Sequence, residues 1–165
     1  MALQGTSGRG RYGGLLGTLL KQTKSVLKAN GNFHEDSVYL CGEPILEPAH
    51  DTVCFVLSTD NLLLNAYRQT LFGVPSYVQI DTTHRVVSEG HCVMPIMTVD
   101  LQQRTHPIAF GICSDESVAA HRHVIEQTKM AVEAVVAERA ANNEVRRRNS
   151  FTPPLNAASS SVRLR

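Results

Sequence analysis

The spacing of apolar residues changes along the chain, and those changes mark out its elements. Leu15, Leu16, Leu19, Leu20, Val26 and Leu27 recur near helical spacing, with Lys21, Lys24 and Lys28 between them. Asn30-Gly31-Asn32 follows as a stop signal, so the pattern predicts a helix over 13–29. Residues 30–50 carry Gly42, Pro44 and Pro48 and read as loop with at most short strands. Val53-Cys54-Phe55-Val56-Leu57 is short and wholly apolar, as a buried strand would be. Ser58-Thr59-Asp60 then supplies capping side chains for a helix through Leu62, Leu63, Tyr67 and Gln69.

From residue 77 the period becomes two. Tyr77-Val78-Gln79-Ile80-Asp81 alternates, placing Val78 and Ile80 on one face and Asp81 on the other. This strand is expected over 76–87, running through Arg85-Val86-Val87 into a turn at 88–91. A second strand is expected over 91–100 and a third over 106–113; short connections between them favour an antiparallel meander. Pro95 has no amide to give to a ladder, so a bulge or an unpaired position is expected there. Ser114-Asp115-Glu116 places a cap and negative charge ahead of a helix over 115–140. Val118, Val124, Ile125, Ala131, Val132 and Val135 form its apolar stripe.

After Ala141 the composition shifts to Arg146-Arg147-Arg148, Pro153-Pro154 and Ser159-Ser160-Ser161. The expected organisation is therefore α+β. It has a disordered start (1–12), a helix and loop lead-in (13–52), and a domain over 53–141. That domain is a three-stranded antiparallel meander followed by a long helix, and a basic, low-complexity, disordered tail (142–165) ends the chain.

Composition narrows the function classes. With 165 residues the chain suits one domain. A formal net charge of +1 means that no global field draws it to nucleic acid, so any basic surface must be local. With no Trp and 5% aromatics, few platforms exist for stacking single-stranded bases. No apolar run approaches the ~20 residues of a membrane helix, and none reads as a signal-peptide core, so no membrane partner and an intracellular setting are expected. Cys41, Cys54, Cys92 and Cys113 form no C-x-x-C pair and are expected to be buried, reduced thiols. Cys41, His50 and Cys54 match no common zinc module.

Asp81 is the sharpest candidate for chemistry. A carboxylate fixed on a strand can hold a divalent cation, because a hard ion prefers oxygen ligands and backbone pairing fixes the donor. The same residue also reads as an edge aspartate bonded to a nearby hydroxyl or amide. Its surroundings add to the first reading. Three stretches matter: Ile80-Asp81-Thr82-Thr83-His84-Arg85-Val86-Val87, then His91 to Asp100, then Thr105-His106-Pro107-Ile108-Ala109-Phe110-Gly111-Ile112 with Ser114-Asp115-Glu116. Together they resemble the opening of a Mutator-like (MULE) transposase catalytic domain, whose fold is ribonuclease-H-like. The lead-in Phe55-Val56-Leu57-Ser58 with Asn61 to Ala66 is similar to the segment before such domains. The resemblance spans roughly 53–128, and the order and separation of short motifs carry it.

The resemblance implies that the domain is the N-terminal part of a DDE-type ribonuclease-H-like fold, with Asp81 as the first catalytic acid and metal ligand. It implies Mg²⁺ or Mn²⁺ as cofactor, transposon-end DNA as partner, and a nuclear location. In that family, two metal ions drive strand cleavage and transfer with carboxylates from a first strand, a later parallel strand and a late helix. This chain offers no clear second or third acid. Asp100 is expected about three residues, roughly 10 Å, from Asp81, too far for a shared centre. Asp115 and Glu116 suit a helix start, and Glu126, Glu133 and Glu138 a solvated helix face. His121 and His123, two apart on a helix, do not face each other and cannot chelate one ion. Lys21, Lys24 and Lys28, like Arg146-Arg147-Arg148, are candidates for phosphate contact but are ordinary on a solvated surface.

The expectation is a truncated transposase-like protein, inactive alone, whose ancestral activity is DNA transposition. The alternative is a non-catalytic protein that binds DNA or assembles with a full-length transposase or with itself.

Overall fold

The structure, a computed structural model, describes residues 9–47, 52–68, 77–82 and 91–150. Strand β1 (Tyr39–Glu47), β2 (Thr52–Ser58), β3 (Tyr77–Ile80), β4 (Cys92–Val99) and β5 (Thr105–Cys113) form one sheet. It is five-stranded, in the order β1-β2-β5-β4-β3, and every pairing is antiparallel. The fold is α+β. The expected meander is present as β3, β4 and β5, but the sheet does not stop at three strands. The apolar strand β2 pairs with β5, with Phe55 opposite Ile112 and Val56 opposite Gly111, and both its faces are covered: Cys54 and Val56 lie in the main core, and Val53 and Phe55 pack with Leu19 on the other side.

Strand β1 corrects the reading of 30–50 as loop. Gly42 and Pro44 fall in an irregularity of register between Cys41 and Ile45, where Gly42 takes φ 70°. An edge strand tolerates such a break because its outer amides need no partner within the sheet. Pro95 holds regular register opposite Phe110, and the irregularity falls one residue later, between Ile96 and Met97, opposite Pro107.

Helices cover the two faces unequally. α3 (Asp60–Arg68) and α4 (Val118–Ser150) lie on one face. There Leu63 and Val124 pack with Val56, Met94, Ile96 and Ala109 in the main core. Each such side chain contributes about 1.5–3 kcal/mol when fully buried. Gly111 makes the close approach of α4 possible, since a Cβ there would lie 2.7 and 2.8 Å from the Val124 methyls. On the other face α1 (Arg9–Lys21) lies over the β1–β2 side, where Leu19 packs with Leu40, Val53 and Phe55 and Ile112 of β5 joins the cluster. Phe110 on that face is 37% exposed, beyond the reach of α1.

Several boundaries differ from expectation. The single helix over 13–29 is two helices, α1 and α2 (Lys24–Ala29), and α1 begins at Arg9, inside the stretch read as disordered. The break falls at Thr23, which is extended (φ −73°, ψ 147°) and bridges to Leu40, while the Leu40 amide donates to Gln22 O at 2.9 Å. The first amides of β1 thus take the carbonyl that a continuous helix would have used. Helix α4 is capped by Ser117, whose Oγ accepts from the Ala120 amide at 3.1 Å. Ser114, expected as the cap, instead accepts from the Val53 amide at 3.1 Å and ties β2 to the end of β5.

At its far end α4 runs past Ala141 to Ser150, so the tail read as starting at 142 begins as helix. Ala, Glu and Arg are good helix formers, and no proline intervenes before Pro153. Thr59 caps α3 as expected, accepting from the Leu62 amide at 3.2 Å. The expected continuation of the first meander strand through 83–87 and its turn, residues 1–8, His50 and the tail from 151 lie outside the described residues.

Candidate functional site

Asp81 directly follows β3 and keeps one more ladder bond, its amide donating to Pro95 O at 3.3 Å. Its side chain is exposed. Ile80 packs against the core beneath α4, so strand alternation directs Asp81 to the opposite face. Thr82 returns to the α4 side, where its Oγ1 lies 3.4 Å from His121 Nε2. His121 Nδ1 is 3.0 Å from Ser117 O, a carbonyl that can only accept. The ring therefore donates from Nδ1, and in its neutral form accepts from Thr82 at Nε2. The residue that meets the first turn of α4 is Thr82, not Asp81.

The other acids are held elsewhere. Register places Pro95 across from Asp81, so Asp100 stands five positions further along β4 rather than three. That is about 17 Å of strand. Asp100 closes the β4–β5 hairpin. It accepts from the amides of Gln102 and Arg104 at 2.9 and 2.8 Å, from Arg104 Nε at 3.1 Å and from His106 Nε2 at 3.0 Å. The His106 bond, then the Arg104 amide, lowers its carboxyl to about 2. This clasp also holds Gln103 at φ 62°. Asp115 accepts from the Ser117 hydroxyl side and its amide, at 2.8 Å for the amide, which holds it below the usual carboxylate range.

A charge cluster that sequence reasoning missed joins α2 to α3 and α4. Lys24 Nζ donates to both oxygens of Asp60, at 2.8 and 2.7 Å, and lies 2.8 Å from Glu138 Oε2. Tyr39 donates its hydroxyl to Asp60 Oδ1 at 2.7 Å, and Lys28 pairs with the other Glu138 oxygen. Bonds from Lys24 and Lys28 hold the Glu138 carboxyl below its ordinary value. Burial, then the bond to Asp60, raises the Tyr39 phenol. Glu138 is thus an ion-pair member rather than a merely solvated acid, and Lys24 and Lys28 are not a free basic face. Partners 36 and 110 residues apart leave no local signal in the sequence.

Among the described residues, no group of three or more His, Cys, Asp or Glu side chains is arranged to hold a metal ion. His121 and His123 do not converge; His123 Nε2 is buried without a hydrogen-bond partner. One carboxylate at the Asp81 end does not fit a two-metal centre. A shallow cleft of about 350 Å³ lies between α3 and α4, lined by Leu64, Tyr67 and Val136 with Arg68 and Arg139, and shares no residue with that end of the sheet. No described helix is long and apolar enough to cross a membrane. No family model, curated protein or solved structure matches the chain.

Proposed function

We propose that residues 53–128 are the opening part of a MULE-type, DDE-class ribonuclease-H-like transposase domain, and that this chain by itself does not cleave DNA. The observation behind the reading is one arrangement. An antiparallel meander has Asp81 directly after its first strand, and a long capped helix follows the third. The ancestral chemistry is metal-dependent strand cleavage and transfer on transposon-end DNA in the nucleus. Asp81 remains as the acid that would meet Mg²⁺ or Mn²⁺. Asp60, Asp100, Asp115 and Glu138 are committed to ion pairs, a hairpin and the turn ahead of α4, so no step is assigned to them.

Purified chain is incubated with Mn²⁺ and a terminal-repeat duplex beside the Asp81→Asn variant. Neither protein should nick the DNA, and the variant should bind Mn²⁺ more weakly, by spin-resonance titration, with an unchanged circular dichroism spectrum. Nicking by the parent that disappears in the variant would overturn the inactive reading. Equal Mn²⁺ binding by the two proteins would remove Asp81 from any site. Metal-independent retention of the duplex would favour the alternative of a non-catalytic DNA-binding protein.

A further inference from the structure

The thiols of Cys54 and Cys113 are the closest reactive pair in the molecule's core, with Sγ atoms 2.8 Å apart. They stand opposite each other on β2 and β5. The kind of position they occupy follows from the neighbouring residues. Ser114 donates its amide to Val53 O at 2.8 Å, so 53 and 114 are a hydrogen-bonded pair of the ladder. The next pair, 54 and 113, is therefore a non-hydrogen-bonded one, where facing Cα atoms lie about 4.5 Å apart and side chains are closest. A disulfide spans Cα separations of about 4.4–6.8 Å, so the backbone needs no rearrangement to accept one.

We propose that Cys54 and Cys113 form a reversible dithiol–disulfide couple that locks β2 to β5. The oxidant is hydrogen peroxide. One thiol of the pair attacks as thiolate and takes one oxygen, becoming a sulfenic acid as water leaves. The other then attacks that sulfur and expels a second water, so one hydrogen peroxide and two thiols give one disulfide and two waters. Either thiol can donate its S–H to the other across 2.8 Å, so either sulfur can take the attacking role. Cys92 also stands opposite Cys113, on β4, but its sulfur is engaged by carbonyls rather than by the Cys113 thiol. Cys92 Sγ lies 3.1 Å from Cys113 O and 3.3 Å from Asp115 O, and donates to these carbonyls. Cys41 is buried among groups that push its thiol up to about 12.

The location gives the bond its consequence. β2 and β5 are the seam between the β1–β2 hairpin and the meander, so one cross-link there fastens the lead-in to the rest of the sheet. Both sulfurs are buried, so the peroxide reaches them through local opening and the reaction is slow in native buffer.

The full chain, reduced and desalted, is held with hydrogen peroxide in native buffer, then unfolded and blocked with a maleimide. Before oxidation all four thiols should be blocked. Afterwards only Cys41 and Cys92 should be blocked, peptide mapping should join 54 to 113, and the urea midpoint should rise until dithiothreitol restores it. The Cys41→Ser/Cys92→Ser variant should behave in the same way, whereas Cys54→Ser or Cys113→Ser should lose the shift. Links through Cys92 or Cys41, chain-to-chain links, or sulfinic acids without a 54–113 link would overturn the proposal. The mapping on the parent protein decides the matter even if a serine variant fails to fold.

Discussion

Replacing Lys24 with Met tests whether the cluster joining α2 to α3 and α4 stabilises the fold. The Asp60 side chain is 9% exposed and Lys24 19%, whereas Glu138 is 40% exposed. The two arms of the cluster should therefore differ in strength. Lys24→Met leaves a nearly buried carboxylate that still accepts from the Tyr39 hydroxyl. Removing one partner of a buried pair costs about 3–5 kcal/mol. The place of Asp60 in the first turn of α3 offsets about 0.3–1 kcal/mol of that. A loss of roughly 2–5 kcal/mol is expected, a large share of the ~5–15 kcal/mol that holds a domain. Glu138→Gln removes the wetter arm and should cost only about 0.2–1 kcal/mol. Urea unfolding followed by circular dichroism reads both, with unchanged slope. Added salt should shrink the Glu138→Gln effect and leave most of the Lys24→Met effect, because buried pairs are poorly screened. Equal costs for the two variants, or less than about 1 kcal/mol for Lys24→Met, would refute this account of the cluster.

Gly111→Ala should destabilise by about 1–3 kcal/mol, because its new methyl would strike Val124. Adding Val124→Ala should recover part of that loss, so the double variant costs less than the sum in urea titrations. Asp100→Asn should weaken the hairpin at neutral pH, and the difference from the parent should fade in acid. The folded carboxyl is lowered to about 2 against an ordinary value of about 3.9, so its stabilisation is present above that value and is lost as pH falls through about 2. Paired thermal melts at pH 7, 4 and 2 check this, and a constant difference would contradict it.

The period-two pattern of 77–81, the apolar run at 53–57 and the apolar stretches at 93–99 and 107–113 located four strands before any contact was known. β2 is apolar almost throughout and is buried almost throughout, while β4 is buried at every second residue, and both are local properties of the sequence. The stripe on α4 was legible in part: Val124, Ala131, Val132 and Val135 pack into the core, whereas Val118 and Ile125 are exposed. The strand at 39–47 was not, because Gly42 and Pro44 are loop signals unless an edge and a register break accommodate them. Reading 13–29 as one helix failed at Thr23 for a related reason. The competing partner, the amide of Leu40, comes from another element.

For the candidate site, Ile80 packs into the core and Asp81 is exposed, but Val78, expected on the Ile80 face, is 57% exposed, as Tyr77 and Gln79 beside it are exposed. What lay beyond the sequence was where the other acids stand. Register between β3 and β4 moves Asp100 two positions further from Asp81 than turn counting implied, and that register depends on the paired strands themselves. The sequence alone determined which residues prefer to be buried and with what period, because hydrophobicity and backbone preference act over a few neighbours. Only the tertiary structure decided that Lys24 meets Asp60 and Glu138, that Cys54 faces Cys113, and that Thr82 rather than Asp81 reaches α4. Those contacts join residues far apart in the chain, and their distances are set by how sheet and helices pack.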